Sequence, residues 1–354
     1  MKIRSSAVFA RRACLLLIVM VSLGCESVVD KIVETAAERR TSVVQTDLLD
    51  DDALSVFLCG TGSPLADANS AAACTMVIAG GKIYVVDVGP GSQEVAQLAG
   101  MPTAALGGIF LTHFHSDHIG ELGEWAMQSW VAGRSEPLKV YGPEGVDRVV
   151  SGFKQAYRLD DAYRIEHHGP EILSTAATEW ISHALPYQDG PGTKILEENG
   201  LVVTAFAVDH EPVEPAVGYR FDYEGRSVVI SGDTDRSENL EINARGADLL
   251  VHEVLLKSVI GDLSQLMERA GQARMAKLSG DILEYHTSPS EAAETAKQAG
   301  VDTLVFTHLV PTVPGVIREW LFMREVEAGD VEVVVGEDAM RIRLPVGSSE
   351  IEIE

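Results

Sequence analysis

Short apolar runs of strand length recur along the chain and alternate with stretches whose apolar residues return every three or four positions. Residues 54–59, 83–87, 108–111, 201–208, 227–231, 248–251 and 303–307 predict strands. Between them, residues 92–99, 144–158, 264–277 and 288–299 predict helices. The last has the clearest ends, with Ser288 or Ser290 as cap, Pro289 near the first turn, Glu291 and Glu294 following, and Gly300 as the stop. Strands that alternate with helices give an α/β class. No internal period and no Pro- or Ser-rich linker interrupts residues 53–354, so one compact domain is expected there.

The first residues do not belong to that pattern. Lys2, Arg4, Arg11 and Arg12 make a basic start, Leu15 to Leu23 an apolar core too short to span a bilayer comfortably, and Ser22-Leu23-Gly24 a small-residue end before Cys25. Residues 1–24 are therefore expected to be a signal peptide. Residues 25–52, polar and acidic at Asp47 and Asp50 to Asp52, are expected to be a tether. Removing the four basic residues of 1–24 leaves 24 Lys and Arg against 53 Asp and Glu, a net charge of −29. Such a surface repels polyanions, so nucleic acid is not expected as a partner. Cys59 and Cys74 sit in apolar runs, LSVFLC and ACTMVIA, and are expected as buried free thiols rather than a disulfide.

Chemistry enters directly after the run 108–111, in LTHFHSDHIGELGEW. His113 and His115, two apart, can point the same way from an extended turn, and Asp117 and His118 come round on the next turn. A metal needs three or four such side chains around one small volume, and three histidines on one short loop have little structural use otherwise. Further candidates follow later apolar runs: His210 in AVDHEPVEP, Asp233 in SGDT and His308 in FTHL. Polar residues just past strand ends are where α/β proteins place their sites.

HFHSDH matches the HxHxDH signature of the metallo-β-lactamase superfamily. GTGSP at 60–64, VDVGPG at 85–90, DHEPVEPAVGYR at 209–220, SGDT at 231–234, HE at 252–253, HTSPSEAAETA at 286–296 and THL at 307–309 resemble its tRNase Z and arylsulfatase-like branch. The resemblance implies a four-layer αββα sandwich carrying two divalent metal ions, most often Zn2+, with Mn2+ as the alternative. His113, His115 and His210 would hold one ion, Asp117, His118 and His308 the other, and Asp233 would bridge them. Asp117 would also orient the attacking oxygen, and His286 would be a general acid with Glu253 accepting its other N–H. Asp87 reads as a carboxylate that fixes a ligand histidine or, equally, as a turn residue. His252 stays unassigned, and His167, His168 and His183 are not assigned to metal.

The long segment between His118 and His210 is expected to cap the metal cleft through its helix 144–158 and the aromatic residues Tyr157 and Tyr163. It resembles the arylsulfatase-like members, and no long basic arm of the tRNase Z kind is visible. The expectation is thus an exported hydrolase of a small-molecule ester, a sulfate or phosphate ester, held on a periplasm-facing or cell-surface membrane by a lipid on Cys25, with homodimerisation left open. A tRNase Z-like endoribonuclease or phosphodiesterase is one alternative. A binding protein with structural metals is the other.

Overall fold

The computed structural model describes residues 30–31 and 44–354, and the folded unit runs from Thr46 to Glu354. The expected signal peptide, the lipidation site Cys25 and most of the expected tether lie outside the described residues. Positions 46–52 join the body: Leu48 is buried, and Asp51 accepts from Arg343 Nε at 2.6 Å and Nη2 at 2.7 Å. Among the described residues no helix is long and apolar enough to cross a membrane.

Two mixed sheets repeat one plan. In the first, β1 (Ala53–Gly60), β2 (Cys74–Ala79) and β3 (Lys82–Val86) form an antiparallel meander, which β4 (Leu106–Phe110), β5 (Leu138–Gly142) and β6 (Trp180–Ala184) extend in parallel. The second runs antiparallel through β7 (Thr193–Glu198), β8 (Leu201–Ala207), β9 (Val217–Tyr223) and β10 (Arg226–Ile230), then parallel through β11 (Leu249–Leu255), β12 (Thr303–Val310) and β13 (Glu332–Val335). Near the C-terminus, β14 (Arg341–Pro345) and β15 (Glu352–Ile353) return to the first sheet beside β1.

Strands that lie between two cores must be apolar on both faces. β1 shows why its run is continuous: Leu54, Val56 and Leu58 face the other sheet, while Phe57 and Cys59 face the helices outside. On that outer side pack α1 (Ser92–Leu98), α3 (Leu122–Ala132) and α4 (Val146–His168), with α2 (Ser116–Ile119) a single turn between them. The second sheet is covered by α5 (Glu238–Ala244), α8 (Pro289–Ala299) and α9 (Gly315–Met323). Helix, sheet, sheet and helix make four layers in one domain, as the family resemblance implied. Phe110 sits between the sheets, stacked on Tyr141 at 4.7 Å and edge-on to Tyr219 and Phe221 at 5.5 and 5.7 Å. Ring pairs of this kind add about 0.5–1.5 kcal/mol each beyond burial.

Two expectations fail here. Cys59 and Cys74 form a disulfide, not free thiols. The register of β1 on β2 slips between Leu58 and Gly60, which sets both cysteines on the same outer face with Cα atoms 5.0 Å apart, inside the range a disulfide needs. Nor is 264–277 one helix. Gly271, at φ 74°, turns the chain between α6 (Lys257–Arg269) and α7 (Ala273–Asp281), and Ser264 Oγ donates across to the Ala276 carbonyl at 2.7 Å. α8 keeps its expected ends, with Ser288 as the cap in a reciprocal capping box with Glu291 and Gly300 left-handed at the stop.

Candidate metal centre

The site forms where the two sheets' strand ends meet, and second-layer hydrogen bonds decide which ring atom of each histidine points inward. Asp87, at φ 58°, ends β3 and accepts from the Thr112 N–H, from the Thr112 hydroxyl and from His118 Nδ1, each at 2.8 Å. Of the two readings of Asp87 the first therefore holds: its carboxylate orients a histidine, while its N–H, on the Phe110 carbonyl at 2.9 Å, continues the pairing of β3 with β4. With its hydroxyl proton committed to Asp87, Thr112 Oγ1 accepts from His113 Nδ1 at 3.1 Å. His210 Nδ1 donates to the Tyr285 carbonyl at 2.9 Å. In all three histidines Nδ1 is occupied behind the ring, so Nε2 presents its lone pair to the cluster.

His308 arrives by a different device. In the β11–β12 pairing Glu253 opposes Thr307 and Val254 opposes Leu309, which leaves His308 as the extra residue of a bulge at φ 46°. A bulge re-aims a side chain that regular pairing would send into the sheet. His308 Nε2 reaches Asp117 Oδ2 at 3.2 Å and Asp233 Oδ2 at 3.5 Å. Asp233 follows Gly232, whose φ of 64° and approach to Thr112 exclude a side chain: an added Cβ would lie 2.9 Å from Thr112 Cβ.

The seven residues named from sequence meet in one volume. His113, His115, His210 and Asp233 offer donor atoms within 4.8 Å of one another, and so do Asp117, His118 and His308. Asp233 Oδ2 is central, 3.9 Å from His113 Nε2, 3.3 Å from His118 Nε2 and 4.0 Å from His210 Nε2. His118 Nε2 and His210 Nε2 are buried without a hydrogen-bond partner. A buried ring nitrogen left so is costly. Lone pairs converging on a buried carboxylate fit a divalent cation, so the donor set passes the test of its chemistry. His167, His168 and His183 belong to none of the candidate groups found among the described residues.

Charge follows the same geometry. Burial, with the charge of His118, holds His113 well below the usual imidazole range, and burial likewise lowers His115 and His210. Burial also opposes the charged forms of His118 and Asp233, yet the two outweigh it for each other, His118 being held well above its usual value and Asp233 well below; the proton that Asp233 favours on His118 Nε2 is the one that a bound cation would displace to use that lone pair.

His286 and Glu253 lie against this cluster. Glu253, 1% exposed, accepts from His286 Nδ1 at 2.9 Å, from the Thr234 N–H at 3.1 Å and from the Thr287 N–H at 3.2 Å. Burial works against a charge on His286, but Glu253 outweighs it and pushes the group up to about 9. His286 also forms a candidate donor group with Asp233 and His308. His252 is wholly buried with Nδ1 on the Glu253 carbonyl at 2.7 Å, and makes no group with the others.

Neither Tyr157 nor Tyr163 lines the cavity beside the site, contrary to expectation. α4 runs on to His168, Tyr157 Oη donates to Glu124 at 3.0 Å, and Tyr163 is exposed. The wall is α6 and α7 instead, through Ile260, Leu263, Met267, Met275 and Leu278, opposite His115, Asp117, Asp233, His286 and His308. Ile260, Leu263 and Met267 are spaced as one helix face, a signal present in the sequence.

A family model described as the metallo-beta-lactamase superfamily matches residues 69–308. The chain belongs to the metallo-beta-lactamase superfamily. Within it, the chain is similar to a ribonuclease Z of Mycobacterium avium, 37% identical over 300 residues that cover 83% of this chain and 100% of that protein. It is also similar to a ribonuclease Z of Mycobacterium bovis, 38% identical over 82% of this chain and 98% of the relative. The fold resembles the short form of human tRNase Z, with a TM-score of 0.59 and 22% identity over 82% of this chain and 99% of that one. This superfamily member is a metal-dependent hydrolase of ester bonds in the tRNase Z branch, with His and Asp groups suited to divalent metal. The relatives overturn two expectations, the small sulfate or phosphate ester as substrate and the exclusion of nucleic acid, because proteins alike over their whole length carry the name ribonuclease Z.

Proposed function

We propose that this chain is a ribonuclease Z-type endoribonuclease that hydrolyses a phosphodiester bond of tRNA at a site for two divalent ions. The observation that carries the reading is identity of 37% to a ribonuclease Z over all of that relative's length. The placement of seven donor residues in one volume supports the ion count. His113, His115 and His210 would hold one ion, Asp117, His118 and His308 the other, with Asp233 between, and the nitrogen-rich donor set suits zinc. When bound, such a pair supplies Lewis-acid charge and acidifies water at neutral pH. Asp117 accepts a hydrogen bond from the attacking water and aims it. His286, its Nδ1 fixed by Glu253, uses Nε2 to give a proton to the leaving ribose oxygen.

Full-length protein incubated with a precursor tRNA transcript should cut it at one position. A chelator should abolish cleavage, and zinc or manganese should restore it. Intact transcript under every metal tried would sink the reading.

The address is a separate proposal: export, with a lipid on Cys25. The basic and apolar pattern of residues 1–24 supports it, and so does the Cys59–Cys74 disulfide, since disulfides persist in oxidising compartments. The tRNA met there would be RNA released outside the cytoplasm. Cell fractionation with a Cys25→Ser control tests it, and wild-type protein found in the cytoplasm with residues 1–24 intact would overturn it.

A further inference from the structure

The helical pair α6–α7 is not used by the catalytic scheme above, yet it builds the wall of a cavity of about 320 Å³ that opens onto the metal centre. Its inner face is apolar, with Leu263, Met267, Met275 and Leu278 facing the site and Tyr285 beside His286. Ser63 also lines it, is 6% exposed, and its Oγ has no hydrogen-bond partner among the described residues. Arg269 ends α6 and Arg274 lies in the first turn of α7, so the two flank the turn between the helices, both exposed and neither in an ion pair among the described residues.

A nucleotide has one part with apolar faces. The sugar-phosphate chain is charged and strongly hydrated, and burying it against leucine and methionine would cost its hydration without return. A base carries apolar faces and a polar edge, which match a thioether- and tyrosine-lined slot with one free hydroxyl. The unpaired arginines at the turn suit the phosphates on either side.

Resting on the ribonuclease reading, we propose that this cavity takes one unstacked nucleobase directly adjoining the phosphate that is cut. α6–α7 is then the element that selects the nucleotide at the cleavage point, with Ser63 reading its edge.

The test uses full-length protein and precursor tRNA transcripts carrying an abasic residue on one or the other side of the mapped cleavage point. Loss of a stacked base should lower kcat/KM of the wild type by about tenfold to a hundredfold at one of the two positions. Leu278→Asp, at a half-exposed position that tolerates charge in the fold, should lower it similarly on intact transcript and add little on the abasic one. Ser63→Ala should change the preference among bases at that position. Metal content stays at the wild-type level in both variants. Indifference to both abasic substitutions, or losses that multiply in full, would overturn the base pocket while leaving the ribonuclease reading intact. A wild type that cuts no RNA overturns the ribonuclease reading and this inference with it.

Discussion

Replacing His286 by alanine separates a proton donor from a metal ligand, because the structure permits either. Its Nδ1 is spent on Glu253 at 2.9 Å, and the ring is 6% exposed, so one nitrogen remains for the reaction. A positioned general acid contributes on the order of 10²–10⁴ in rate. At about 1.36 kcal/mol per tenfold, that is roughly 3–5 kcal/mol of barrier. The effect must depend on what departs. A ribose oxygen leaves poorly without a proton, whereas nitrophenolate leaves unaided. His286→Ala should therefore slow single-turnover cleavage of a tRNA transcript by about a hundredfold or more. Hydrolysis of bis(p-nitrophenyl) phosphate should change by less than about tenfold, an activated leaving group needing no acid. Elemental analysis supplies the control, with metal content unchanged. Equal losses on both substrates would assign His286 to positioning. Loss of metal would make the Asp233–His286–His308 group a real ion site and would refute the general-acid argument.

Other consequences are simpler to measure. Asp233→Ala should deplete all bound metal, since its Oδ2 lies within 4.0 Å of His113, His118, His210 and His308; retention of one full ion per chain would contradict the shared position. Phe110→Ala removes a fully buried ring that touches four others and should cost about 3–5 kcal/mol in denaturant unfolding. Asp51 is held below the usual carboxylate range by its hydrogen bonds to Arg343. A depressed carboxyl contributes stability that is present above its unfolded value, about 3.9, and fades as pH falls through the lower folded value. Asp51→Asn should thus lose on the order of 1 kcal/mol or less at pH 7, the pair being partly exposed, and the difference from wild type should shrink below about pH 4. An undiminished difference in acid would refute the pairing.

How far the chain could be read from its letters depended on the distance over which each feature is encoded. The strands that carry ligands were legible because burial on both faces makes them continuous apolar runs, and HFHSDH because one turn holds four donors. α8 was legible because its caps are local: Ser288, Pro289, Glu291 and Gly300 lie within one short segment. The disulfide was not, since it depends on a one-residue slip of β1 against β2. Nor was the bulge that turns His308 inward, because it exists only in the pairing of β12 with β11. The break at Gly271 was hidden by a helical period that continues across it, and with it went the wall of the cavity.

The substrate was misread for a reason of scale. A net charge of −25 over the whole chain describes the field far from the surface, and that field is screened beyond about 8–10 Å at ordinary ionic strength. Cleavage depends on the few ångströms around one phosphate. There the count from the sequence omits the positive charge that divalent ions would bring, about four charges for the two ions proposed and the largest local charges such a site would have. It also weights every carboxylate alike, although Asp117 and Asp233 lie among the clustered histidines rather than on the outer surface, and Lys257 is neutralised by Asp235 and Glu291 while Arg269 and Arg274 make no ion pair among the described residues. An acidic body with a cationic centre slows approach of RNA and leaves capture to contacts at the site. Cleavage of tRNA by this chain should accordingly become faster, not slower, as salt rises from very low to moderate levels, the reverse of what a basic RNA-gripping surface would give.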